Sequence, residues 1–242
     1  MGGLSLLSLV YVALSYAAAA IFVGGLMRKL WGYAVTPNPL CIPTTPSPAT
    51  KGGVVARLAL NIVAFADLFK GNRWTWIGGY AFHVILIAVT VRHLRLFIYP
   101  VPPLLAEIQP LALLIAMLLP LPLVYLLARR KMVDRYAWIS SPADYGVLIL
   151  ILLIALSGLG LKFVSHSDLV GIKHFLLGLL MFSPVDMPAH PAFIIHLTLV
   201  LMLAVYFPYS KLVHAGGVFF SPTRMMVDDP RERRHINPWA AK

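Results

Sequence analysis

Residues 75–98 read TWIGGYAFHVILIAVTVRHLRLFI, and residues 190–214 read HPAFIIHLTLVLMLAVYFPYSKLVH. Each stretch holds an apolar run long enough to cross a hydrocarbon core of roughly 30 Å as a helix. Each also carries two histidines at a depth where an ionisable side chain is costly and calls for a functional explanation. His83 and His93 lie ten residues apart, a rise of about 15 Å and about 80° short of whole turns. His196 and His214 lie eighteen residues apart, which on an unbroken helix is five turns, about 27 Å, and one face.

Working outward, apolar runs at about 4–26, 75–98, 104–127, 145–164 and 190–213 make five spans. The 242-residue chain is 60% hydrophobic and only 12% charged, with mean hydropathy +0.82, far beyond what one soluble core needs. The expected fold class is therefore an all-α integral membrane protein. It is a five-transmembrane-helix bundle over residues 1–220, followed by a basic tail over 221–242. No basic stretch precedes the first run and no small-residue cleavage site follows it, so it reads as a retained helix. Ser141-Pro142-Ala143-Asp144 opens the fourth span with an N-cap, a first-position proline and an acid in the first turn. The strap 34–54 holds five prolines and cannot be a regular helix. Residues 55–70 space Leu58, Ile62, Phe65 and Phe69 at helical intervals, with Arg57, Asp67 and Lys70 towards the other face, as in a helix lying in the membrane interface. The apolar stretch 169–182 is too short to cross and predicts a surface or re-entrant helix.

The net charge of +11 is sorted by side: loops 27–74 and 128–143 and the segment from 211 hold 16 of the 20 Lys and Arg. Arg92, Arg95, Lys162 and Lys173 fall on the other side. This asymmetry predicts an N-terminus outside and a C-terminus in the cytoplasm, in a prokaryotic inner membrane. It also answers to topology and anionic lipid rather than to nucleic acid. The single cysteine, Cys41, excludes a resident iron–sulfur cluster and a CxxCH-attached haem, and reads as a plain loop residue.

The second span runs outwards and the fifth runs back, so His83 pairs by depth with His214, and His93 with His196. One imidazole from each of two helices at each of two levels is what two six-coordinate b-type haems require. A histidine proton relay in a transporter, and histidines that merely tie helices together, remain open as rivals. Pro208 can kink the fifth span and shorten its effective distance. Gly78 and Gly79 leave room either for a porphyrin edge or for helix packing. Arg92 and Arg95, beside the outer couple, can pair with haem propionates or snorkel to the interface. At the outer edge, Arg95, Tyr99, Glu107 and Lys173 are candidate quinone contacts. His166, His174 and His190 lie in outer connections without depth-matched partners, and His235 lies in the tail.

The runs FHVILIAVTVRH (82–93) and HLTLVLMLAVYFPYSKLVH (196–214) resemble the gamma-subunit family of respiratory nitrate reductase, five-helix di-haem cytochromes b. By that resemblance His83 and His214 hold the cytoplasm-proximal haem and His93 and His196 the distal one. IPTTP (42–46), FADLFKGNRWTW (65–76) and HINPW (235–239) resemble more closely the cytochrome b subunit, DsrM, of the DsrMKJOP complex of dissimilatory sulfur metabolism, and its heterodisulfide-reductase relatives. That likeness implies electron exchange between menaquinone or ubiquinone and a cytoplasmic iron–sulfur subunit, DsrK-like, that acts on the sulfur carrier DsrC. A nitrate reductase or heterodisulfide reductase gamma subunit is the alternative within the same class.

Overall fold

The computed structural model of the chain describes residues 4–37, 43, 45–165 and 167–229. Cys41, His166, His235, the tail arginines Arg231, Arg233 and Arg234, and the HINPW stretch lie outside them, as do Ile42 and Thr44 of IPTTP. The described residues are helical, without strands, and five helices are long and apolar enough to cross a membrane: Leu6–Val35, Arg73–Leu96, Gln109–Met132, Pro142–Phe163 and Pro191–Tyr209.

In chain order the helices are α1 (Leu6–Val35), α2 (Lys51–Val63), α3 (Ala66–Gly71), α4 (Arg73–His93), α5 (Pro103–Glu107), α6 (Gln109–Met117) and α7 (Pro120–Met132). They continue as α8 (Asp134–Trp138), α9 (Pro142–Phe163), α10 (Leu169–Leu180), α11 (Pro191–Tyr206), α12 (His214–Gly217) and α13 (Pro222–Met225). The spans neighbour one another in the order α4, α6 with α7, α9, α11, α1. Two apolar cores hold them. Phe82, Ile85, Leu119, Leu123 and Ile151 join α4, α7 and α9. Ile172, Phe175, Met187, Phe193 and Leu197 seat α10 on α11, against Tyr11 and Val12 of α1. Leu123 and Phe175 are fully buried, whereas many large apolar side chains of the spans, Leu14, Ile87, Leu114, Leu153 and Ile195 among them, are exposed, as lipid contact demands.

Capping chemistry sets where the spans begin. Asn72 accepts from the Thr75 amide at 2.9 Å and starts α4. The same carboxamide oxygen accepts from Arg129 Nη2 at 3.0 Å, while Arg129 Nε donates to Thr75 Oγ1 at 3.1 Å. The Tyr136 hydroxyl pairs with Thr75 Oγ1, and that bond and the Arg129 guanidinium hold its phenol below the usual range. One asparagine thus caps a span and ties it to its neighbour. Asn72→Ala is expected to cost about 1 kcal/mol or somewhat more, read as a lower thermal midpoint of the detergent-solubilised protein. The expected start of the fourth span is observed: Pro142 is the first helical residue and the Asp144 carboxylate accepts from the Ser141 amide at 2.9 Å.

Three expectations are modified. The third span begins at Gln109, not 104, after the separate short α5, and breaks before Pro120. There the proline nitrogen has no hydrogen to give and its ring crowds the preceding turn. The amides of Leu118 and Leu119 accordingly turn to the carbonyls of Ile115 and Ala116 in tighter three-residue turns. Residues 55–70 are two helices rather than one, because Phe65 takes a left-handed conformation (φ 52°) between α2 and α3. Asp67 closes that elbow, accepting from Asn61 Nδ2 at 2.8 Å and Arg57 Nη2 at 3.2 Å. The fifth span is not one helix to residue 213. Helix α11 stops at Tyr206, a three-residue turn covers Phe207–Tyr209, Ser210 is extended, and a second tight turn, Lys211–Val213, leads into α12. Pro208 therefore interrupts the helix where a kink was expected, and its ring lies against Gly25 of α1, where any Cβ would come within 2.7 Å.

Candidate haem sites

The two helices that carry the histidines are not principal packing partners, yet their imidazoles face each other. The rings of His83 and His214 are 6.0 Å apart, nearly perpendicular at 80°. Those of His93 and His196 are 6.5 Å apart and close to parallel at 16°. The break after Tyr206 is what delivers His214: it sits at the first position of α12, not five turns along α11.

Metal–imidazole nitrogen bonds are about 2 Å long, so two imidazoles on opposite sides of one iron have ring centres about 6 Å apart. Both couples have that separation. The ring nitrogens add a second condition, since a ligating imidazole donates its other N–H and keeps a lone pair for the metal. His83 Nδ1 is 2.7 Å from Gly79 O, His93 Nδ1 is 2.7 Å from Val89 O, and His214 Nδ1 is 2.8 Å from Lys211 O. A carbonyl can only accept, so each Nδ1 carries the hydrogen and each Nε2 is left as the free donor atom. His196 differs. Its Nδ1 is 2.9 Å from Ser157 Oγ of α9, and that hydroxyl gives its own hydrogen to Ile154 O at 3.0 Å, so it accepts from the imidazole. All four side chains are thus set in the same tautomer. Among the described residues there is no cluster of three or more His, Cys, Asp or Glu that would hold a bare metal ion.

Aromatic rings flank the first couple. Phe65 meets the His83 ring edge-to-face at 4.9 Å, and the neighbouring Phe82 does so at the same distance of 4.9 Å. The left-handed backbone at Phe65 is thus spent beside a candidate ligand, a common place to find a costly conformation. Of the two glycines before His83, Gly78 serves helix packing, since a Cβ there would be 2.5 Å from the Tyr125 ring, whereas Gly79 supplies the carbonyl that orients His83. Gly158 clears space for the other couple: a Cβ would stand 3.2 Å from His196 Cε1.

The remaining candidates divide. Arg92 donates through Nη1 to the Gln109 carbonyl at 3.1 Å, linking the end of α4 to the start of α6. Arg95 lies in the single turn that follows α4, half-buried, and Glu107 ends α5. Tyr99 and Lys173 come together, with the Lys173 ammonium 5.3 Å from the centre of the Tyr99 ring. His190 caps α11, its Nδ1 accepting from the Ala192 amide at 3.3 Å. His174 is exposed on α10. Ser157, Gly158 and Lys211 were not singled out from sequence; a serine–glycine pair in the middle of an apolar helix was the available signal.

Fold and site together define a five-span helical membrane protein that presents two facing imidazole couples. The chain belongs to the nitrate reductase gamma subunit family, whose profile matches residues 64–234. It is similar to the Hdr-like menaquinol oxidoreductase cytochrome b-like subunit of Archaeoglobus fulgidus, at 35% identity over 94% of this chain and 82% of that protein. The protein of the same description from Archaeoglobus profundus is 31% identical over 95% of this chain and 82% of its own length.

Proposed function

We propose that the chain is the membrane cytochrome b subunit of a quinone-linked electron-transfer complex. It would hold two b-type haems, one between His83 and His214 and one between His93 and His196. The observation that carries the reading is the pair of couples, each at bis-imidazole separation with its Nε2 lone pairs free. When bound, haem supplies reversible one-electron iron chemistry. The chain's own residues supply the rest. The four Nδ1–H bonds fix ring orientation and make each imidazole a stronger donor. Phe65 and Phe82 pack edge-to-face on His83 at one level. Arg92 and Arg95 place positive charge beside the other, where propionate groups would be neutralised. A proton relay would need imidazoles free to exchange protons at both nitrogens; holding every Nδ1 to a carbonyl or hydroxyl favours ligation instead.

Menaquinol enters from the names of the two relatives, with ubiquinone as the alternative acceptor or donor. We place the quinone beside Tyr99 and Lys173, whose ammonium over a ring leaves donors for a quinone oxygen, with Arg95 and Glu107 nearby in sequence on the connection that follows α4. The basic end, with Arg57, Arg73, Arg129, Arg130 and Lys211, would face the cytoplasm and an iron–sulfur partner, giving the outside N-terminus that the charge asymmetry favours. We infer a DsrK-like, heterodisulfide-reductase-type partner, and a place in sulfur metabolism as a DsrM-type subunit, from the loop stretches 42–46, 65–76 and 235–239. The alternative is a partner of the nitrate reductase type.

The test is to add a menaquinol analogue to the purified protein in vesicles and follow the b-type absorption bands. Reduction within seconds supports the reading; bands that respond only to dithionite contradict a quinol site. Lys173→Ala is expected to raise the quinol concentration for half-maximal reduction about tenfold, the loss of one charge-assisted hydrogen bond of about 1.5 kcal/mol, while leaving the haem content unchanged.

A further inference from the structure

We infer that α9, which carries no histidine, is the strut that positions one ligand of each couple, Ser157 for His196 and Asp144 for His214. The inference rests on the haem reading above and deepens it.

Three of the four imidazoles are oriented by a backbone carbonyl three or four residues earlier in their own segment. On α4 that is sufficient, because His83 and His93 sit within one regular helix whose carbonyls are fixed. His196 instead gives its Nδ1 hydrogen to Ser157 on a different span, 39 residues away in sequence. His214 follows a broken segment, so the Lys211 carbonyl that orients it is only as fixed as the Lys211 turn. That turn is fastened by its own side chain: Lys211 Nζ is 2.8 Å from Asp144 Oδ2. The aspartate, although charged, is buried, and its position is set by the Ser141 amide at 2.9 Å, the Ser141 hydroxyl at 3.1 Å and Arg130 Nη1 at 3.7 Å. Lys211 itself is largely exposed, so the anchor is the carboxylate. Ser157 and Asp144 are thirteen residues apart on α9, about 20 Å along its axis, against about 15 Å between His83 and His93 on α4. One continuous helix therefore holds both contacts, which a broken segment cannot do for itself.

Each contact makes a separate claim. A hydrogen-bonded imidazole is the more electron-rich ligand and favours ferric iron. Ser157→Ala should therefore raise the midpoint potential of the His93–His196 centre alone, and Ser157→Thr, which restores a hydroxyl, should bring it back. Asp144→Asn frees the Lys211 turn, so it should give a high-spin or absent signal from the His83–His214 centre alone. Asp144→Glu, which keeps the charge, should restore low-spin character in part.

The experiment is a redox titration with low-temperature spectra on the whole protein and these four variants, the two centres being assigned from His83→Ala and His93→Ala. The expected result is a double dissociation: Ser157→Ala alters the His93–His196 centre alone, Asp144→Asn the His83–His214 centre alone, and Ser157→Thr and Asp144→Glu return the affected centre towards the parent. Ser157→Ala or Asp144→Asn altering both centres alike, or neither, in a protein whose parent shows two b-type centres, overturns the strut. A parent without b-type centres overturns the haem reading itself. If Asp144→Asn does not accumulate, the Ser157 pair decides: an unmoved potential overturns the inference, and a shift confined to the His93–His196 centre sustains its direct half.

Discussion

His83→Ala is expected to yield a protein with about half the parent's haem and one low-spin b-type centre, because a bis-imidazole site loses one of its two iron bonds while the other site is untouched. The two couples share no residue, and their α4 members are ten residues, about 15 Å, apart. His214→Ala should give the same spectrum, and the double variant nothing worse, since both histidines serve one centre. His93→Ala and His196→Ala should remove the other centre, with the same equivalence. Pigment that survives all four substitutions unchanged would mean that the imidazoles tie helices together and nothing more.

The second large effect is expected at Gly158. An added Cβ lies 3.2 Å from His196 Cε1 and 3.7 Å from Nδ1, so alanine asks the ring to yield by a few tenths of an ångström. Valine adds two methyl groups with a nearly fixed rotamer in a helix, beside a Cβ whose nearest neighbours are all atoms of the His196 ring. Gly158→Ala should keep both centres. Gly158→Val should lose the His93–His196 centre and keep the other, read as haem per protein and as the loss of one wave in a redox titration. Both centres intact in Gly158→Val would show that the ring position has slack that the packing around it does not suggest.

The sequence made the histidine pairing legible, since imidazoles at membrane depth are rare and helix rise converts spacing into level. It made the path to His214 less so. Eighteen residues make five turns of an unbroken helix, and Pro208 signals a kink; the structure goes further, with tight turns and the extended Ser210 replacing the last of those turns. The His83 and His214 rings nonetheless lie 6.0 Å apart, because the tight turns after Tyr206 carry the chain to that level. Span ends were blurred where apolar composition runs past a structural break, as at Pro120, because hydropathy does not register a missing amide hydrogen. Ser157 and the Asp144–Lys211 pair were not legible, for they join residues 39 and 67 positions apart. Such contacts depend on which helices become neighbours, and periodicity within one helix is silent about that. The Phe65 elbow was hidden for a related reason: its helical spacing looked continuous, and only the Asp67–Asn61–Arg57 cluster fixes where it turns.

The most direct measurement is the haem content of the purified 242-residue chain, as pyridine haemochrome per mole of protein, with the reduced spectrum recorded on the same sample. The account predicts about two haem b per chain in a low-spin bis-imidazole spectrum. A colourless protein, or one that takes up a single haem when supplied with excess, would contradict it.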